Sequence, residues 1–180
     1  MINGPTILTF DGHYFSFADP DPAHFTLNSI AQGLSNTCRF GGQCHPFYSV
    51  AEHSVWVSRL VPEEFALAAL FHDAAEAFIG DMPKPLKVLL PDYQEVERRI
   101  EEVLFPALGL PVKLPPEVKH ADRVMLATEQ QQLMRNKDRW EWTDGIEPAD
   151  IQLRCLTPDY AYVFFKDRAR ELGFQEAQEA

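Results

Sequence analysis

Three segments of the chain each carry a metal-binding type of side chain inside an otherwise apolar stripe. His53 precedes Trp56, Val57 and Leu60 by three, four and seven residues, which places it on their face of a helix. His72 follows Phe65, Ala68 and Ala69 by seven, four and three residues; Asp73 stands next to it, about 100° round a regular helix. Asp122 comes four residues after Val118 and three before Met125. Carboxylates among apolar side chains are costly unless a cation or several hydrogen bonds compensate them. Two imidazoles and two carboxylates converging on one ion would satisfy all four groups together. Each residue alone has a plainer explanation, a hydrogen-bonded core histidine or an aspartate paired with the adjacent Arg123. The pair His72-Asp73, flanked by AALF and AAEAF, has no such local answer. This nitrogen and oxygen set suits one borderline or hard divalent ion: Mn, Co, Mg, Zn or Fe. With coordination positions left open, such an ion activates water and polarises a phosphoryl oxygen.

Two further acids and three cations lie near these residues in the chain. Glu76 is four residues after His72, and Asp81 follows Gly80 in the turn GDMPKP. Either acid could orient or deprotonate a water, or protonate a leaving oxygen; a solvated helical acid and an ordinary turn residue are the plainer alternatives. Arg39 in CRFGG, with Lys84 and Lys87, could meet a phosphate, and arginine's planar fork suits its oxygens best.

The elements that must position these residues are mostly helical. The spacing predicts helices over 26–36, 49–61, 62–79, 93–105, 115–134 and 159–173. Ser49 and Glu52 have the spacing of a capping box, in which the glutamate reaches back to the cap. The fourth helix carries Val96, Ile100, Val103 and Leu104 on one face. Before them, two short apolar runs around Asp11-Gly12 predict a hairpin with a two-residue turn. The fold class is therefore all-α, a helical bundle with a short N-terminal β-hairpin. The 180 residues suit a single domain, 1–180, with its motif-bearing core at about 30–130.

Composition narrows the function. Asp plus Glu total 27 against 16 Lys plus Arg, a net charge of -11 that repels polymeric nucleic acid but not a small phosphorylated ligand. Three cysteines make no secreted disulfide framework; Cys38 and Cys44 are expected as reduced thiols rather than a zinc pair. No signal peptide or membrane span is apparent, so a cytoplasmic protein without a membrane partner is expected. The aromatic-rich last helix, DYAYVFF, points to a homo-oligomer. No Gly-x-Ser-x-Gly or P-loop is present.

The order His53, His72-Asp73, Asp122 resembles the signature of the HD-domain metal-dependent phosphohydrolases. SVAEHSVWVS and LFHDAAEAFIGDMPKPLK are similar to the two central helices of the compact bacterial 5′-deoxynucleotidases in that superfamily, and KHADRVMLATE to the later helix. The hairpin start and SNTCRFGGQCHPFYSVAEHS also resemble short HD hydrolases of phages and bacteria. The resemblance implies an HD-domain bundle in which His53, His72, Asp73 and Asp122 hold one divalent ion. It also implies that Glu76 and Asp81 handle the attacking water and the leaving oxygen. Arg39 would orient the phosphate, and the turn Asp81, Met82, Pro83, Lys84 would line the substrate pocket. Where that group carries a tryptophan after the arginine, this chain carries Phe40, which leaves deoxyribose selectivity open. The substrate implied is a deoxynucleoside monophosphate losing its 5′-phosphate. A short deoxynucleoside triphosphate hydrolase is the alternative, and a nonenzymatic nucleotide-binding module a more distant one.

Overall fold

The computed structural model describes residues 4–138 and 140–175. Its elements are a two-stranded antiparallel hairpin and eight α-helices: β1 Thr6–Leu8, β2 Tyr14–Ser16, α1 Leu27–Asn36, α2 Val50–Arg59, α3 Ala66–Leu70, α4 Glu76–Ile79, α5 Lys84–Lys87, α6 Pro91–Ala107, α7 Pro116–Leu133 and α8 Pro158–Glu171. The all-α class with an N-terminal hairpin holds. Among the described residues no helix is long and apolar enough to cross a membrane.

Helix α2 forms the middle of the bundle, packed by α1, α3, α7 and α8. Eight of its residues are buried, including Glu52, His53, Ser54 and Ser58, and the polar groups of Glu52 and Ser58 find partners inside the protein. Arg168 on α8 serves one end, donating to the Ser58 hydroxyl at 3.0 Å and to its carbonyl at 3.2 Å. Glu52 serves the other. Ser49 caps the helix as expected, accepting from the Glu52 amide at 3.1 Å. The Glu52 carboxylate does not turn back to that cap. It accepts from the amides of Arg154 (2.8 Å), Cys155 (3.2 Å) and Leu156 (2.8 Å), three donors whose combined attraction outcompetes one local bond.

Two further expectations are corrected. The hairpin loop is longer than two residues: Leu8 pairs with Tyr14, and the Thr9 amide bonds the His13 carbonyl at 2.8 Å, leaving Phe10, Asp11 and Gly12 at the tip. Gly12 takes φ 85°, as a three-residue loop requires. Asp11 accepts from the Thr26 hydroxyl, and Thr26 in turn caps α1 by accepting from the Ser29 amide at 3.0 Å, so the turn is recruited to hold the start of α1. The single helix expected over 62–79 is broken: a 3-10 turn at Glu63–Phe65 leads into α3, and tight turns at 71–75 separate α3 from α4. There the amides of Ala74, Glu76, Ala77 and Phe78 each reach back three residues. The tighter winding turns His72 and Asp73 toward the same centre, which a regular helix would not do.

The core around α2 includes Phe15, Tyr48, Phe71, Phe105 and Phe165, all fully buried, and Phe15 stacks on Phe78 of α4 at 4.4 Å. Helix α1 approaches α4 closely because position 33 is glycine: a Cβ there would lie 2.4 Å from the Ala77 carbonyl oxygen and 2.7 Å from Ala77 Cα. Gly33→Ala is therefore expected to destabilise the protein by about 1–3 kcal/mol, the usual cost of overpacking. Denaturant unfolding measures it, and an unchanged midpoint would mean that α1 and α4 separate freely.

Candidate metal and phosphate site

Helix α2, the tight turns at 71–75 and helix α7 deliver His53, His72, Asp73 and Asp122 to one place. Among the described residues, one ligand atom each from His53, His72 and Asp122 lie within 4.8 Å of one another. Asp73 Oδ2 stands 3.6 Å from His53 Nε2 and 3.1 Å from His72 Nε2, and Asp122 Oδ1 3.3 Å and 3.9 Å from the same two atoms. The cluster has a closed end and an open end: side-chain exposure rises from 0% at His53 through 8% and 21% at His72 and Asp73 to 39% at Asp122.

The two imidazoles are fixed from behind. His53 Nδ1 bonds Glu129 Oε1 at 2.5 Å, and His72 Nδ1 bonds the Ala69 carbonyl at 2.8 Å. A carbonyl only accepts, so His72 carries its proton on Nδ1, and the carboxylate selects the same tautomer at His53. Both Nε2 atoms are buried and make no hydrogen bond. Imidazole nitrogens held in this way, beside two carboxylates, fit a divalent ion that displaces their protons on binding.

Glu129, which the motif residues alone do not single out, supports the cluster from behind. It lies seven residues after Asp122 on α7, two turns along the same face, and that spacing was the available signal. Its carboxylate is fully buried, and its second oxygen takes Arg39 Nη2 at 3.1 Å. Arg39 Nη1 also faces Asp73 Oδ2 at 3.7 Å and Asp81 Oδ2 at 4.0 Å, while its Nε is buried with no acceptor. Arg39 thus sits among three carboxylates. It is held there by a loop whose next residue, Phe40, takes φ 58°, a left-handed conformation uncommon for a non-glycine residue.

Charge is divided unevenly among the acids. Burial opposes ionisation of Asp73, Asp122 and Glu129, but the surrounding histidines, with Arg39 for Asp73 and Glu129, outweigh it and hold all three below the usual carboxylate range. Burial, with Asp73 and Asp81 beside it, drives Glu76 well above that range; burial also raises Asp81, against the pull of Arg39. Burial and Arg39 disfavour a charged His53, yet Glu129 and Asp122 push it up to about 9. Glu76 is almost wholly buried, and its Oε2 has no partner.

Two clefts adjoin the cluster. One, of about 420 Å³, is lined by Asp73, Glu76, Lys84, Lys87, Glu97 and Glu101 among others. The other, of about 500 Å³, runs from His72 and Asp122 along Leu114–Pro116, with Lys113 and Lys119 in its wall. Of the sequence-derived substrate residues, Asp81 meets Arg39, Lys84 lines the first cleft, and Pro83 backs the Arg39 loop, its Cγ 3.8 Å from where a Cβ on Gly41 would sit. Met82 is half-buried in the same turn. Phe40 is half-buried with Trp140 edge-on to it at 6.0 Å. Lys87 is not a free cation: its ammonium is paired with Glu97 at 2.7 Å.

Comparison with known proteins places this geometry in a family. The model of the family described as 5′-deoxynucleotidase YfbR-like matches residues 43–142, a span that contains His53, His72, Asp73, Asp122 and Glu129 and begins just after Arg39 and Phe40. The uncharacterised protein YfdR of Escherichia coli K12 is 43% identical over 169 residues, covering 93% of this chain and 95% of its own. A 5′-deoxynucleotidase of Pasteurella multocida is 26% identical over 95 residues, 50% of this chain and 48% of its own. A 5′-deoxynucleotidase of Yersinia pestis is 38% identical over 64 residues, 36% and 32% of the two chains. The chain belongs to the YfbR-like family, the HD-domain group whose model carries the description 5′-deoxynucleotidase.

Proposed function

We propose that this protein is a divalent-metal-dependent phosphohydrolase that removes the 5′-phosphate of deoxynucleoside monophosphates. The observation that carries the reading is the pair of buried imidazoles whose Nδ1 atoms are tied back while their Nε2 atoms stay free beside two carboxylates. His53, His72, Asp73 and Asp122 would hold the ion, which when bound supplies Lewis acidity toward a phosphate oxygen and an attacking water. Arg39 offers its unpaired Nε to a second phosphate oxygen, and Lys84 adds positive charge from the first cleft. Asp81 holds Arg39 from the far side. Glu76 Oε2 is unpaired beside that cleft, and its carboxyl, kept protonated by burial and the neighbouring acids, serves as the proton donor: it gives its proton to the nucleoside oxygen as the P–O bond breaks. The products are inorganic phosphate and a deoxynucleoside. The reading treats residues 1–180 as one catalytic unit in the cytoplasm. Tyr160 and Val163, exposed on α8, support self-association, which light scattering tests.

Lys113 and Lys119 in the second cleft favour one alternative, hydrolysis of a deoxynucleoside triphosphate whose outer phosphates reach past Asp122. Incubation of the metal-reconstituted protein with each deoxynucleoside mono- and triphosphate separates the two. Free phosphate from monophosphates supports the nucleotidase, and tripolyphosphate from a triphosphate supports the alternative. No product from either would leave only a binding role.

Two substitutions divide the site. Asp73→Ala is expected to abolish turnover and to weaken metal retention, whereas Glu76→Ala should keep the metal and lower the rate by about 10²-fold or more. Metal content by mass spectrometry beside the rate checks both; an active Asp73→Ala enzyme with its metal would overturn the ligand assignment.

Glu129→Gln tests the support behind the site. An amide cannot accept from His53 Nδ1 and Arg39 Nη2 together, because one of its two ends donates. Metal affinity should fall by about 10–100-fold, the usual loss when such a partner is removed. Metal titration with a competing chelator measures it, and unchanged affinity would show that His53 needs no such partner.

A further inference from the structure

We propose that Cys38 and Cys44 form an oxidative modification site, a dithiol that a peroxide converts to a disulfide and that thereby disturbs the loop carrying Arg39 and Phe40. The two sulfurs already touch, Sγ to Sγ at 3.7 Å, in a chain where they are separated by the five residues Arg39 to Gln43. A disulfide bond is about 2.05 Å long, so a shift of less than 2 Å at the sulfurs joins them. Both side chains are only half-buried, which leaves room for a small oxidant.

The backbone on either side is pinned. The Val50 amide bonds the Thr37 carbonyl at 3.0 Å, the Arg39 amide bonds the Tyr48 carbonyl at 2.9 Å, and the His45 amide bonds the Leu133 carbonyl at 3.3 Å. The sulfurs are therefore held near each other by the fold, and the movement needed to join them falls on the short loop between. That loop is already constrained, with Phe40 and Gly41 at φ 58° and 59°. The Cys44 thiol also donates to the Arg39 carbonyl at 3.6 Å, a contact that oxidation removes because a disulfide has no S–H. Arg39 lies at the end of this lever, and its guanidinium is fixed by Glu129, Asp73 and Asp81.

The chemistry balances with hydrogen peroxide as the oxidant. One sulfur attacks a peroxide oxygen, the O–O bond breaks, and a sulfenic acid and one water form; the second sulfur then attacks the sulfenic sulfur, the S–O bond breaks, and a second water leaves. Two thiols lose two protons and two electrons, and the peroxide gains them. Burial, with Cys38 beside it, pushes the Cys44 thiol up to about 11. Cys155, the third cysteine, lies elsewhere with its amide bound to Glu52 and serves as an internal reference.

The test is to treat the metal-loaded protein with hydrogen peroxide, quench, and digest it with trypsin without reductant. Trypsin cuts after Arg39, so a Cys38–Cys44 bridge joins two peptides whose summed mass is short by two hydrogens. The expected result is this linked pair, together with a fall in phosphate release of about tenfold or more, since ångström misplacement of an orienting group costs up to about 10²-fold. Dithiothreitol should restore the rate, and Cys44→Ser should start at the wild-type rate and form no bridge. Free thiols after treatment, or a bridge that uses Cys155, would overturn the site. A linked pair at full rate would overturn its link to Arg39. The peptide mass does not depend on which nucleotide is hydrolysed, so failure of the functional reading and failure of this one remain distinguishable.

Discussion

The carboxylate of Glu129 has no contact with solvent, and it lies between a buried imidazole and a buried guanidinium. Each of the three groups would be costly alone in this interior, and each is tolerable because the other two are present. Removing one partner of such an arrangement typically costs about 3–5 kcal/mol, because a charge is then left uncompensated. This one interaction fixes three elements against each other: α2 through His53, α7 through Glu129, and the loop after α1 through Arg39. The open end of the cluster inherits its geometry from this closed end.

Helix α2 shows how a central helix can carry polar side chains without ion pairs at every one. Glu52, next to His53 in sequence, is buried as deeply as Glu129. It is answered by neutral donors, the amides of 154–156 and the Trp56 indole at 3.3 Å, rather than by a cation. Two adjacent polar residues on α2 thus use opposite means of support. Glu52 ties the helix to the segment ahead of α8 with a group that offers nothing to a ligand. His53 turns its unpartnered Nε2 toward the cluster, since its other nitrogen is held by an acid that is itself neutralised by Arg39.

The helices were legible in the sequence because apolar periodicity reports burial, and the convergence of His53, His72, Asp73 and Asp122 because ionisable groups interrupt that periodicity. The interrupted winding at 71–75 was not legible. Ala-rich sequence has high helix propensity, and only tertiary demand makes the chain tighten so that two adjacent residues face one centre. The true partners of Glu52 were also hidden. A capping box is a local pattern, whereas the competing amides lie about a hundred residues later in the chain. Asp11 was hidden in the same way: its turn propensity is local, whereas its bond to Thr26 lies fifteen residues away. Glu129 could have been found, since it repeats the Asp122 face two turns on, but an acid at that spacing is ordinarily a solvated one.

The graded exposure across the cluster separates two tasks that are often placed on the same residues. His53 and His72 are held from behind by Glu129 and a backbone carbonyl, so under the proposed function the affinity for an ion would be set at the closed end. Asp73 lines the first cleft and Asp122 the second, so each would meet both an ion and whatever enters its cleft. Under the proposed function, selection among phosphorylated ligands would fall to parts that do not touch the histidines: the Phe40–Trp140 edge contact, the Pro83 turn, and lysines 84, 113 and 119. These lie on loops or at helix starts rather than in the bundle. Under the proposed function, substitutions at the lysines would alter ligand preference without touching the buried charges, whereas Phe40, with its ring 5.5 Å from the Arg39 guanidinium, borders them. Arg39 is the exception, because its terminal nitrogens belong to the buried network while its Nε remains unpaired. It would therefore couple the two tasks, because a small backbone movement in its loop reaches both the buried network and the clefts.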